Sequence, residues 1–112
     1  MPRPFLLWIH GRTADKELDP GRYLRCVRRG MHVCAVDLPG HGQRFDETLQ
    51  GAERILDVIL QMADEIDDIL NGLESIGGFD STNAAIGGMS AGGFVAITRL
   101  LVDHPFKAAV LE

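Results

Sequence analysis

The sequence from Asn83 to Gly93 reads NAAIGGMSAGG, and it contains the pattern G-x-S-x-G at Gly88–Gly92 with Ser90 at its centre. A short apolar run precedes the pattern, and a run with helical apolar spacing follows it. A serine points outward from such a junction only if the chain turns sharply, and glycines two residues before and after it remove side chains that would collide. The stretch therefore predicts a strand, a tight turn and a helix, with the Ser90 hydroxyl at the helix N-terminus, where free N–H groups favour negative charge.

The segments on either side continue an alternation of strands and helices. Apolar runs predict strands at residues 4–10, 31–37, 83–89 and 107–112. Asp19 and Pro20 begin a first helix that ends at Gly30, and apolar residues three and four positions apart predict a long helix over about 50–75. A turn is expected at residues 77–81. The alternation predicts an α/β fold of three layers, α/β/α, around a parallel sheet of four strands.

The loop after the first predicted strand, His10–Thr13, is the second element of a possible site. In acyl transfer, one N–H group that stabilises the oxyanion follows the nucleophile, and that residue here is Ala91. The other N–H group comes from the loop after an earlier strand, which points to Arg12. His10 is expected to shape this loop, because a general base must reach the serine from another strand end.

Three motifs follow one another along the chain: HG at His10–Gly11, DLPGHG at Asp37–Gly42 and GMSAGG at Gly88–Gly93. Together they resemble the α/β-hydrolase superfamily, and most closely the small esterases grouped with dienelactone hydrolases and prolyl-oligopeptidase-like peptidases. The resemblance implies a nucleophilic Ser90, oxyanion N–H groups from Ala91 and Arg12, and a structural His41. It also implies the strand order second, first, third, fourth, with the first helix on one face and the next two on the other.

The sequence departs from the family after the fourth predicted strand. The family places its catalytic acid and histidine after later strands, whereas this sequence reaches Glu112 at the end of the fourth. Residues 1–112 are therefore expected to form a single, incomplete hydrolase domain, with Glu112 as a weak candidate for the acid. The bare strand edge and the lone first helix predict that a missing C-terminal segment or a second copy covers them, and that the isolated chain is not a well-behaved monomer.

The composition excludes several other classes of function. A net charge of −5 and a pI near 5.3 argue against nucleic acid or an anionic membrane as a partner. The apolar run Phe5–Ile9 is too short for a signal-peptide core or a membrane span. Cys26 and Cys34 are expected to be reduced thiols of a cytoplasmic protein. Neither a metal nor a cofactor is expected.

The expected function is carboxylesterase-like hydrolysis of a small-molecule ester or acyl substrate through an acyl-enzyme on Ser90. The 112-residue chain alone is expected to lack the base that this reaction needs. The alternative is a degenerate, non-catalytic hydrolase fragment that acts in assembly or binding. A third hypothesis, a phosphate-binding turn, is disfavoured because GMSAGG lacks the lysine of a P-loop.

Overall fold

The structure, a computed structural model, describes residues 1–112 and contains one sheet of four parallel strands. The strands are β1 (Arg3–Ile9), β2 (His32–Val36), β3 (Phe79–Gly88) and β4 (Ala108–Leu111). The helices are α1 (Pro20–Arg28), α2 (Ile55–Ile76) and α3 (Ala91–Leu100), and three short 3₁₀ helices, Gly42–Arg44, Glu47–Leu49 and Ala52–Arg54, connect β2 to α2. The predicted fold class is confirmed.

The strand order in the sheet is β2-β1-β3-β4, which also agrees with the prediction. The chain leaves β1 toward one edge and, after returning to β3, continues toward the other edge. Ile9, the last residue of β1, pairs with Gly88, the last residue of β3. The loops that follow these two strands therefore start side by side at the switch point, where ligands bind in open α/β sheets.

The hydrophobic core lies on one face of the sheet. Alternate residues of β1, namely Phe5, Leu7 and Ile9, are almost fully buried there against α2 and α3. The contributions of the two helices are Val58, Met62, Ile66 and Leu73 from α2, and Ala91, Val95 and Ala96 from α3. On the opposite face α1 stands alone, and none of its residues is buried. Leu6 and Trp8, which point to this opposite face, are also buried, so β1 is apolar on both faces, with two helices on one face and one on the other.

The start of β3 differs from the prediction. Phe79 was expected in a turn, but it pairs with Arg3 and packs edge-on against Phe5 at a ring-centroid distance of 5.5 Å. The turn lies a few residues later, where the register between β1 and β3 shifts and the Asp80 carboxylate accepts hydrogen bonds from Thr82 and Asn83. Burial of an aromatic ring outweighed the turn signal of the two preceding glycines.

One edge of the sheet and part of α3 are open to solvent. All four residues of β4 are exposed. Phe94, Ile97 and Leu101, at helical spacing, are 59%, 41% and 77% exposed. None of the helices combines the length and the apolar character that crossing a membrane requires.

Candidate active site

Ser90 occupies the junction between β3 and α3 with φ 51° and ψ −114°. A positive φ is unusual for any residue except glycine, and such strain of about 1–3 kcal/mol persists only where the surroundings enforce it. Ser90 is exposed, whereas the three residues after it, Ala91 to Gly93, are buried. The turn therefore presents the serine side chain to solvent at the first turn of α3.

Two glycines make this turn possible by allowing close approach of backbone segments. A Cβ atom on Gly88 would overlap the carbonyl group of Gly92, and a Cβ atom on Gly92 would overlap the carbonyl oxygen of Ile9. The G-x-S-x-G spacing thus has two physical causes. One glycine lets β3 meet α3, and the other lets α3 meet the end of β1.

The backbone N–H groups of Ala91 and Arg12, which both lie near Ser90, donate no hydrogen bond within the chain. Their neighbours are engaged, since the Ser90 N–H donates to the Glu112 carbonyl at 2.6 Å and the Thr13 N–H to His41 at 3.0 Å. The loop that carries Arg12 lies against the turn, because a Cβ on Gly11 would be 3.5 Å from the Ser90 Cβ. Neither the Ala91 N–H nor the Arg12 N–H therefore has an acceptor within the chain.

His10 and His41 are buried and serve as hydrogen-bond acceptors for backbone groups. The His10 Nε2 accepts the Leu38 N–H at 3.0 Å, so its proton is on Nδ1, which donates to the Gly11 carbonyl at 2.7 Å. His41 repeats this pattern, as its Nε2 accepts the Thr13 N–H at 3.0 Å and its Nδ1 donates to the Pro39 carbonyl at 2.9 Å. These contacts agree with the structural roles that the sequence predicted for both histidines.

The remaining two histidines, His32 and His104, contact other residues and not Ser90. The His104 Nδ1 accepts the Phe106 N–H at 3.1 Å, and the His32 ring packs on Phe79 with a ring-centroid distance of 5.1 Å. The Ser90 hydroxyl has no hydrogen-bond partner among the side chains of these residues. None of the four histidines therefore contacts the Ser90 hydroxyl.

Glu112, the candidate acid, contacts the turn through its backbone and faces α1 through its side chain. Its N–H donates to the Gly88 carbonyl at 3.0 Å, and its carbonyl oxygen accepts the Ser90 N–H. The carboxylate instead accepts a hydrogen bond from Arg22 at 2.6 Å, and the Arg22 guanidinium lies 3.9 Å from the centre of the Trp8 ring. The structure thus connects Glu112 to α1 and to no histidine.

Two residues in the quoted motifs received no role from the sequence analysis, but the structure gives them contacts beside this site. Thr13 has φ 66°, a strained conformation for a β-branched residue, and no sequence signal marked it. Asp37 accepts hydrogen bonds from the Lys16 backbone and side chain and from the Gln43 N–H. Burial alone would raise the pKa of Asp37, but these hydrogen bonds outweigh it and lower the pKa below 3.8. The carboxylate therefore stays ionised and connects the two loops.

A cavity of about 180 Å³ adjoins Ser90. Its lining is largely apolar and consists of Ser90, Gly93, Phe94, Ile97, Leu111 and Glu112. A larger cavity of about 430 Å³ lies near the amino end of β3, bounded by Phe5, Phe79 and Pro105. Of these two cavities, only the smaller one is lined by Ser90.

His10 predicts a pH dependence of stability. Burial lowers the pKa of His10 from its ordinary 6.5, with a further lowering by His41, against the opposing effects of the Gly11 carbonyl, Asp37 and Asp15. Between the lowered value and 6.5 the unfolded chain binds more protons than the folded chain, so stability rises with pH there. The contribution is full above 6.5 and is lost as the pH falls toward the folded value.

Urea unfolding of the wild-type chain and of His10→Gln tests this dependence. The free energy of unfolding of the wild type should fall as the pH is lowered from about 7.5 to about 5.5. The variant keeps an acceptor for the Leu38 N–H but cannot bind the proton, so its slope should be smaller. Equal slopes for the two proteins would contradict the assignment to His10.

Comparisons with known proteins agree with the fold. A sequence model of the alpha/beta hydrolase family matches residues 6–111, and the chain therefore belongs to this family. No curated protein sequence matches the chain. The solved structure of DcsB in complex with its substrate analogue has 27% identity and a TM-score of 0.81, over 98% of this chain and 37% of that chain.

A second solved structure, a bacterial heroin esterase, has 24% identity and a TM-score of 0.52, over 89% of this chain and 30% of that chain. This likeness shows the fold alone. The chain spans only 37% and 30% of the lengths of these two solved proteins. The superfamily that the three motifs suggested is confirmed.

Proposed function

We propose that residues 1–112 form the nucleophile-bearing part of a serine hydrolase that cleaves small-molecule ester or acyl substrates, as carboxylesterases do. The observation that carries this proposal is the combination of an exposed Ser90 at φ 51° with two unengaged N–H groups beside it, on Ala91 and Arg12. Membership of the alpha/beta hydrolase family supports hydrolysis as the reaction. The similarity to the DcsB structure, which was solved with a substrate analogue, supports a small-molecule substrate.

In the proposed reaction, the Ser90 oxygen attacks the carbonyl carbon of the substrate and its proton passes to a base. The carbonyl oxygen becomes an oxyanion that the N–H groups of Ala91 and Arg12 stabilise. The C–O bond to the alcohol then breaks, and the alcohol leaves with the proton. Water cleaves the acyl-enzyme by the same steps, releases the acid and restores Ser90. No cofactor takes part in these steps.

The base is the component that residues 1–112 do not provide at Ser90. Each of the four histidines either binds backbone groups or packs on an aromatic ring. Glu112 remains a candidate for the acid only if its carboxylate leaves Arg22. We propose that a further C-terminal segment, or a second copy of the chain, supplies the histidine and covers the exposed β4.

The unpaired Cys26 and Cys34 support a cytoplasmic location.

Hydrolysis of an activated aryl ester by two chains tests this proposal. One is the 112-residue chain. The other, called the extended chain below, also contains the C-terminal segment that we propose to carry the histidine. The first should show near-background activity, because an unassisted serine hydroxyl is a poor nucleophile at neutral pH. The extended chain should hydrolyse the ester readily.

Two other outcomes would change the account. Ser90-dependent turnover by the 112-residue chain that rises with the square of its concentration would show that a second copy supplies the base. Background activity in both chains, whatever the concentration, would contradict the hydrolase and favour the non-catalytic alternative.

A further inference from the structure

We propose that His41 is a positioning residue for the oxyanion site, because it holds Thr13 in a strained conformation and thereby fixes the free N–H of Arg12. This inference rests on the proposed function for the role of Arg12. Its geometric part rests on contacts between the loops that follow β1 and β2, which are independent of any activity.

The first contact is the hydrogen bond from the Thr13 N–H to the His41 Nε2 at 3.0 Å. Thr13 has φ 66°, and a β-branched side chain strongly disfavours this left-handed conformation. Such a conformation persists only when surrounding contacts determine it. His41 is 1% exposed, and its Nδ1 is fixed by the Pro39 carbonyl, so its ring presents an acceptor to Thr13 in a rigid position.

The second contact is a hydrogen bond between the same two loops, with donor and acceptor exchanged. His10, in the loop after β1, accepts the Leu38 N–H from the loop after β2 at 3.0 Å. The two imidazole rings lie side by side, with centroids 5.3 Å apart. Each loop therefore contributes one buried histidine acceptor and one backbone donor. The pair joins the loops at two points and leaves little freedom for the residues between them.

The consequence falls on Arg12, which lies directly before Thr13. The Thr13 hydroxyl donates to the Arg12 carbonyl at 2.6 Å, and the Arg12 side chain donates to the Gln50 carbonyl at 2.9 Å. The Gly11 carbonyl, which shares a peptide plane with the Arg12 N–H, accepts hydrogen bonds from the His10 Nδ1 at 2.7 Å and from the Ala14 N–H at 3.2 Å. Because both peptide planes of Arg12 are held in this way, its N–H has a fixed direction, and it has no partner of its own. A preorganised donor of this kind is what oxyanion stabilisation requires.

Two substitutions at His41 distinguish its role as hydrogen-bond acceptor for Thr13 from its contact with Pro39 and its packing. The side-chain amide of Gln reaches the position of Nε2, so His41→Gln keeps the acceptor. The amide of Asn matches Nδ1, so His41→Asn keeps the donor to the Pro39 carbonyl and loses the acceptor. A role in packing alone predicts similar effects for both variants, whereas the positioning role predicts a difference between them.

The experiment measures ester hydrolysis and amide hydrogen exchange in the extended chain. In His41→Asn the Thr13 amide should exchange about tenfold faster or more. The kcat should fall by about tenfold to a hundredfold with KM little changed, less than the 10² to 10³ that loss of a whole donor causes. His41→Gln should remain close to the wild type in both measurements.

Faster exchange with unchanged kcat would overturn the positioning role, and unchanged Thr13 exchange in His41→Asn would overturn the contact itself. If the wild type shows no hydrolysis, the proposed function fails and the exchange data still decide the geometry. If His41→Asn does not fold, the ¹⁵N chemical shifts of the His41 ring in the wild type decide it. A protonated Nδ1 and an unprotonated Nε2 are expected, and a protonated Nε2 would contradict the proposal.

Discussion

Ser90→Ala is expected to lower the kcat of the extended chain on an activated aryl ester by about a million-fold. The residual rate should remain above the uncatalysed rate. The effect is this large because the Ser90 oxygen forms the covalent bond to the substrate in the proposed reaction, and no other hydroxyl lies at the N-terminus of α3. The N–H groups of Ala91 and Arg12 would remain and would still bind a developing oxyanion, which accounts for the residual rate.

A second serine in the same strand provides the control for this result. Ser81 lies in β3 but at its amino end, beside the larger cavity and away from α3. Ser81→Ala should leave kcat and KM unchanged. Both variants should unfold at the wild-type urea concentration to within the error of the method. A loss of activity in both variants would indicate damage to the fold and would contradict the assignment to Ser90.

Gly92→Ala is expected to destabilise the protein by about 3 kcal/mol or more. The new methyl group would overlap the carbonyl oxygen of Ile9 and crowd the His10 carbonyl oxygen, which lies 2.6 Å from it. Ile9 is the last residue of β1, an inner strand of the sheet, and His10 follows it directly, so these atoms can move only if the end of β1 separates from α3. Urea unfolding of the chain measures the loss.

Gly72→Ala is the matched control, because it makes the same chemical change in another helix. Gly72 lies inside α2, and a Cβ atom there would meet nothing within 4 Å. Alanine has a higher helix propensity, so this variant should be more stable than the wild type by about 0.5–1 kcal/mol. Similar stabilities for the two alanine variants would contradict the close approach of α3 to β1.

The sheet could be predicted from the sequence because its signals are local. The continuous apolar run at Phe5–Ile9 and the glycine pattern around Ser90 each determine an element without reference to distant residues. The strand order followed from the family resemblance, and the structure confirms it. The start of β3 was misplaced because Phe79 packs on Phe5, a contact between residues that are far apart in the chain.

The contacts around the candidate site were less predictable for the same reason. Thr13, which has a positive φ, donates its N–H to His41, 28 positions away, and no local pattern marks this contact. The ion pair between Arg22 and Glu112 joins residues 90 positions apart. The sequence suggested Glu112 as an acid from its place at a strand end, but the partner of its carboxylate depends on where α1 lies.

The most direct test of the central claim is to locate the covalent adduct of a fluorophosphonate on the extended chain. We expect intact mass and peptide mapping to show one adduct, on Ser90, because only an activated serine hydroxyl attacks the phosphorus atom. Ser90→Ala should remain unlabelled under the same conditions, and Ser81→Ala should be labelled as the wild type is. Labelling of Ser90→Ala to the same extent, or a wild-type protein that takes up no probe, would contradict the claim that Ser90 is the nucleophile.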